Sequence, residues 1–215
     1  MVTNAVHFLG DWVQPFNTRR TRPEPFHLAG GGTRLVPMMS SNRFTRFTQA
    51  GAVQLLELSY KGQRLAMVVI LPKARSGLTA IEADLSDEQL GRWLQQLDTD
   101  GEREVLVQLP KVEIDSSYQL NAPLKSMGMA IAFDPKRADF GGIIADEQLF
   151  ISQVLHKTFL RIDERGTEAG AATAVEIQAE SSAEPPTFRA DHPFLVLIRD
   201  RPSGAVLFLG RIAEP

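Results

Sequence analysis

The sequence predicts an α+β fold, mainly antiparallel β-sheet with few helices, and three observations carry that expectation. Runs rich in Val, Leu, Ile and Phe recur between turn signals, such runs outnumber helical ones, and no strand–helix alternation marks βαβ units. With 215 residues, 43% of them hydrophobic, the chain can bury one sizeable core and is near the upper limit for a single domain.

Taken in order, AVQLLELSY and LAMVVILP flank a short polar link, Lys61 to Arg64, and predict a hairpin. Ser86 and Gln89 make a capping box ahead of Leu90, Trp93, Leu94 and Leu97, so a helix is expected over 87–97. The stretch EVLVQLPKVEI reads as extended, and Pro110, which cannot donate to a ladder, places it at a sheet edge or a bulge. YQLNAPLKSMGM offers a shorter helix ending near Gly128. A second hairpin closes the chain, FLVLI and AVLFLG, joined through Pro202 and Gly204.

Composition excludes several functions. Lys and Arg number 23 against 26 Asp and Glu, so no basic surplus is available to neutralise a phosphate backbone, and nucleic acid is not expected as a partner. The chain has no cysteine, which removes disulfides, thiolate metal sites and cysteine nucleophiles. The longest apolar run, Leu65 to Leu71, is far shorter than the roughly 20 residues of a membrane helix, and no membrane association is expected. His7, His27, His156 and His192 do not fall at metal-ligand spacings and read as packed, hydrogen-bonded histidines. GGGT at 30–33 lacks the GK[ST] of a phosphate loop and reads as a surface turn; no nucleophile elbow or HExxH motif occurs. No cofactor and no enzymatic activity are implied.

The segment 166–188 differs from its surroundings: it is Ala-rich, poor in large apolar side chains, and carries no Lys or Arg. A period of two divides its first part into two unlike faces. Thr167, Ala169, Ala171, Thr173 and Val175 are small and buriable, while Glu168, Gly170, Ala172, Ala174 and Glu176 include both charges. A linker has such a composition; so does a segment exposed in one state and a sheet strand in another.

On these residues the chain resembles a serpin. LHKTFLRIDERGTEAGAATA is similar to that family's hinge, a strand followed by Glu, a basic residue, Gly, Thr and several small residues. FRADHPFLVLIRD resembles its C-terminal signature, and TNAVHFLGDWVQPF the segment leaving its third central strand; VPMM (36–39) and LPKVEIDSSYQL fall where the family has them. The resemblance covers the whole chain. It implies a serine protease inhibitor, a suicide substrate whose exposed loop is attacked by the protease and then inserts into the large sheet, and it implies an extracellular setting. Small hinge residues let the loop enter quickly, whereas bulky or charged ones on the inward face would slow it.

The resemblance assigns residues as follows. One partial serpin domain covers 1–215, with a reactive-centre loop at 164–188 and its hinge at 164–173: Glu164, Gly166, Thr167, Glu168, Ala169, Gly170, Ala171, Ala172 and Thr173. Glu164 matches the acid at the loop's base and Lys111 its partner, with Trp12 close by; Asn4 and His156 match the polar cluster beneath the sheet's centre. Counting from Glu164 puts the bait bond at Glu180–Ser181, and counting back from Pro193 puts it at Ser182–Ala183. With no Lys or Arg between Arg165 and Arg189, the expected target is a glutamyl-specific or elastase-like serine protease and not a trypsin-like one. Since a complete domain runs to about 350 residues or more by the resemblance, the helical N-terminal half is expected to be missing. The isolated chain should then expose a sheet edge and be incompetent as an inhibitor. The alternative reading is a non-inhibitory remnant or binding module cleaved as a substrate.

Overall fold

The structure, a computed structural model, describes residues 1–143, 148–167 and 184–215. Its strands in chain order are β1 (Val2–His7), β2 (Gly10–Asp11), β3 (Arg22–His27), β4 (Thr33–Ala50), β5 (Val53–Ser59), β6 (Leu65–Pro72), β7 (Glu102–Pro110), β8 (Val112–Gln119), β9 (Val154–Ile162), β10 (Gly166–Thr167), β11 (Thr187–Arg189), β12 (Phe194–Asp200) and β13 (Val206–Ile212). The helices are α1 (Leu78–Asp84), α2 (Asp87–Asp100) and the single turn α3 (Asn121–Leu124). The backbone packs as two compact units, residues 1–8 with 113–160, and residues 9–112 with 161–215.

The larger unit is organised by β4. Its 18 residues pair with β3 up to Met38, with β7 from Met38 to Arg46, and with β5 from Phe47 to Ala50, so one strand serves two stretches of sheet. The resulting order is β11–β7–β4–β5–β6–β12–β13, with β3 also on β4. All these pairings are antiparallel except β11 with β7. Both predicted hairpins form, β5–β6 and β12–β13. β12 is buried at all seven positions and β6 at all but Leu65, which is why these two read as continuous apolar runs and not as alternating ones. The remaining strand edge at β13 leaves Val206, Leu207 and Leu209 exposed.

Helices α1 and α2 cover a core of Val53, Leu55, Val68, Ile70, Leu78, Trp93, Leu97, Leu195 and Leu197. The Ser86 hydroxyl accepts from the Gln89 amide at 3.2 Å, as its capping position requires. The helix runs three residues beyond the expected end and stops at Gly101, whose φ of +71° a side chain would disfavour. Pro110 departs from expectation. β7 is an interior strand between β11 and β4, and Pro110 is its last residue, paired with Met38 where no further ladder bond is needed.

The smaller unit holds a three-stranded sheet in the order β1–β9–β8. β1 and β9 run parallel, in register from Val2–Val154 to His7–Phe159. Asn121 ties the start of β9 to α3: its Oδ1 accepts from the Val154 amide at 2.8 Å, and its Nδ2 donates to the Ser152 carbonyl at 2.9 Å. The short helix expected here is one α-turn, followed by a wider turn over Lys125–Met129 that Gly128 interrupts with φ +102°. Helical turns then resume to the buried Phe133. The histidines are not uniformly packed: His192 is buried, whereas His7 is exposed beside the Phe159 ring.

Candidate functional site

The chain leaves β9 at Ile162 and reverses over three residues. Asp163 organises the turn through its Oδ1, which accepts from the amides of Arg165 at 2.9 Å and Gly166 at 3.3 Å, while its own amide donates to the Gly166 carbonyl at 3.0 Å. The next two residues, Gly166 and Thr167, are β10 and pair antiparallel with Asp11 and Gly10 of β2. Position 166 requires glycine for a steric reason. A Cβ there would lie 2.0 Å from the Gly10 carbonyl oxygen and 2.7 Å from the Asp11 Cα.

Trp12 follows β2 and is wholly buried. Its amide donates to the Arg165 carbonyl at 2.8 Å and its indole Nε1 to the Asp163 carbonyl at 3.0 Å, so one residue holds both ends of the turn. The indole stacks on Tyr60 with ring centroids 4.6 Å apart. The Tyr60 hydroxyl is 2.8 Å from Thr167 Oγ1, and burial pushes it above the usual phenol range. Thr167 is only 1% exposed. The small, buriable face seen in the sequence thus has its first member inside.

Glu164 lies under the same turn. Lys111 Nζ is 2.9 Å from its Oε2, and the Thr21 hydroxyl donates to its Oε1 at 2.8 Å. Burial pushes this carboxyl up, but the hydrogen bonds and charge of Lys111 and Thr21 outweigh it, and the group is held below its ordinary value. The Phe16 amide donates to the Glu164 carbonyl at 2.7 Å.

Trp12, Lys111, Glu164, Gly166 and Thr167 therefore form one cluster in the larger unit. Asn4 and His156 belong to the smaller unit, directly opposite each other in the β1–β9 register, with Asn4 exposed and His156 half-buried. The expectations on Glu168, Ala169, Gly170, Ala171, Ala172, Thr173, Glu180, Ser181, Ser182 and Ala183 lie outside the described residues. Sequence reasoning missed Thr21, Tyr60 and Asp163. Tyr60 closes a predicted strand and Asp163 precedes the hinge Glu, but nothing in the local pattern marks Thr21, which is 143 residues from its partner.

Beyond residue 183, β11 runs parallel to β7, and Arg189 reaches Glu24 at 2.6 Å, Gln108 at 2.9 Å and Asp191 at 3.1 Å. His192 lies between Asp191 Oδ1 at 2.8 Å and the Pro72 carbonyl at 2.7 Å. Asp191 is held below the usual carboxylate range: burial raises it, and the bonds from His192 and Arg189 prevail.

Comparison with known proteins agrees with this architecture. The family profile described as serpin (serine protease inhibitor) matches residues 1–215. An uncharacterized serpin-like protein of Thermococcus kodakarensis is 41% identical across this whole chain and 50% of its own length, and human antithrombin-III is 36% identical across the whole chain and 47% of its own. Uncleaved ovalbumin superposes with a TM-score of 0.84 at 31% identity, and human thyroxine-binding globulin with 0.88 at 30%; each match covers 99% of this chain, with 53% and 55% of those chains respectively. The chain spans about half the length of the curated relatives it matches. With its full length inside the family profile and its helix-poor sheets superposing on solved members, the chain belongs to the serpin family.

Proposed function

We propose that this chain is part of a serine protease inhibitor acting as a suicide substrate. The protease attacks the loop within 178–183, at Glu180–Ser181 or Ser182–Ala183, and is trapped as an acyl-enzyme when the cut loop enters the sheet as a strand. The absence of Lys and Arg between Arg165 and Arg189 directs it to a glutamyl-specific or elastase-like serine protease.

The observation that carries this reading is the antiparallel pair Gly166–Asp11 and Thr167–Gly10. Insertion continues that ladder in the same register, which sets Ala171 opposite Val6 and Thr173 opposite Asn4. β1 and β9 are parallel to each other, and an antiparallel strand between them exchanges one parallel ladder for two antiparallel ones, the more stable pairing per residue. Glu164, Lys111 and Trp12 hold the point where the loop starts, and Asn4 and His156 are part of the path it opens. Ala169, Ala171 and Thr173, on the face of the hinge shared with Thr167, are small enough to follow it inside, while Glu168 falls on the opposite face.

The test is incubation of purified protein with a glutamyl-specific or elastase-like serine protease, followed by denaturing electrophoresis. A denaturant-stable adduct from a product that includes the other half of the fold, with clean cleavage of the 215-residue chain alone, is the expected pair of results. Clean cleavage of both favours a non-inhibitory remnant that is merely a substrate.

A further inference from the structure

The geometry points to Arg43 as a positioning residue of the loop's base, acting through Gln14 and Phe16; this role rests on the inhibitor reading above. Arg43 projects from the interior strand β4, where it pairs with Val105, and is only 4% exposed. Among the described residues its guanidinium has no carboxylate partner, and its Nε and Nη2 have no hydrogen-bond partner. Nη1 donates to the Gln14 carbonyl, and the guanidinium carbon sits 3.6 Å from the centroid of the Phe16 ring. Burial pushes its pKa down to about 9.

An uncompensated guanidinium is an expensive occupant of a sheet interior, where an aliphatic side chain would pack without that cost. Its side-chain hydrogen bond and its ring contact both fall within residues 14–16. That segment continues directly from Trp12, and together they receive the turn: the Trp12 amide donates to Arg165 and the Phe16 amide to Glu164. A cation over an aromatic face is worth more when desolvated, as here. Arg43 thus clamps residues 14–16 onto β4 and fixes the amides that hold the turn at 163–165, and with them the starting register of the loop. Lysine cannot substitute fully, because a compact ammonium cannot lie flat on the Phe16 ring while donating to Gln14.

The experiment is amide hydrogen exchange on the 215-residue chain and its variants Arg43→Met, Arg43→Lys and Phe16→Leu. Arg43→Met is expected to raise exchange at Trp12 and Phe16 by roughly tenfold or more, while β5 and β6 keep wild-type protection. The double variant with Phe16→Leu should exceed the larger single effect by little, because both remove one interaction. Where Arg43→Met does not fold, Arg43→Lys gives the same local reading. Unchanged exchange at Trp12 and Phe16, a uniform rise across all strands, or additive single effects would each overturn the proposal. No protease is used, so failure to trap a protease sinks the inhibitor reading without touching this result.

Discussion

Lys111 Nζ lies 2.9 Å from Glu164 Oε2 while the Thr21 hydroxyl donates to Oε1 at 2.8 Å, so both oxygens of the Glu164 carboxylate are engaged. Lys111 is partly exposed, which limits its worth; Lys111→Met should cost ~1 kcal/mol in a urea titration at pH 7. The pH dependence has a definite sign. Glu164 is depressed in the folded state, so its contribution is complete above the ordinary Glu value of about 4.3 and is lost as pH falls through the folded value. The gap between wild type and Lys111→Met should therefore close on acidification, and a gap that widened would show that the carboxylate is not the partner.

Gly166 admits no side chain while β10 stays paired with β2. The Cβ of Gly166→Ala would meet the Gly10 carbonyl oxygen at 2.0 Å, a contact that backbone and not a flexible side chain must relieve. We expect a loss of ~1 to 3 kcal/mol, as for other overpacked sites, together with loss of amide protection at residues 10, 11, 166 and 167. Wild-type protection at these four positions in the variant would contradict the pairing.

Much of this site is legible in the sequence, for an identifiable reason. The strands of the two hairpins declare themselves by composition, whereas β4 does not, and Glu164, Gly166 and Thr167 stand close enough together to be matched as a motif. What was not legible depends on long-range approach. Thr21 sits beside an exposed turn with nothing to mark it, and nothing in the local pattern singles out Arg43, whose side chain is sealed inside. Pro110 misled for a related cause: proline forbids a ladder bond at its own position, but the last residue of an interior strand needs none. The parallel pairing of β1 with β9 was also invisible, because strand direction follows from connections that 152 residues separate in register.

Thr167 is the residue at which the observed burial meets the proposed insertion. Its hydroxyl lies 2.8 Å from the buried Tyr60 Oη, and its side chain has no room for charge. Thr167→Val should cost ~1 to 3 kcal/mol by depriving a buried hydroxyl of a partner, measured by thermal unfolding. Thr167→Arg would have to keep residue 167 outside or bury an unpaired guanidinium. In a product able to trap protease it should convert inhibitor into substrate, seen as a cleaved band replacing the adduct. Undiminished adduct would show that entry of residue 167 is not needed.

Glu57 makes the densest charge contact among the described residues. It is wholly buried, accepts from Arg199 Nε at 2.8 Å and Nη2 at 2.5 Å, and also accepts from Arg201, while Arg199 reaches Asp98 at 2.6 Å. Removing this carboxylate leaves Arg201 with no carboxylate partner among the described residues and Arg199 with Asp98 alone, so buried positive charge is left under-neutralised. Glu57→Gln should cost about 3 to 5 kcal/mol, more than any change at the loop's base, while replacing the whole cluster by apolar residues should cost much less. Equal losses for the two changes would contradict this account.

The register proposed for the inserted loop can be read with sulfur, because the chain contains no cysteine to interfere. Continuing from Thr167 opposite Gly10, Ala171 falls opposite Val6. Directly opposed antiparallel residues have Cα atoms about 4.5 to 5.5 Å apart, within the span a disulfide bridges. In a product able to trap protease, Val6→Cys with Ala171→Cys should cross-link after the loop is cut and not before. Val6→Cys with Ala172→Cys should link far less, since a shift of one residue turns the second thiol to the opposite face of the sheet. Equal yields from the two pairs would mean that the cut loop samples the sheet without a fixed register, and the hinge would then be a tether and not a strand in waiting.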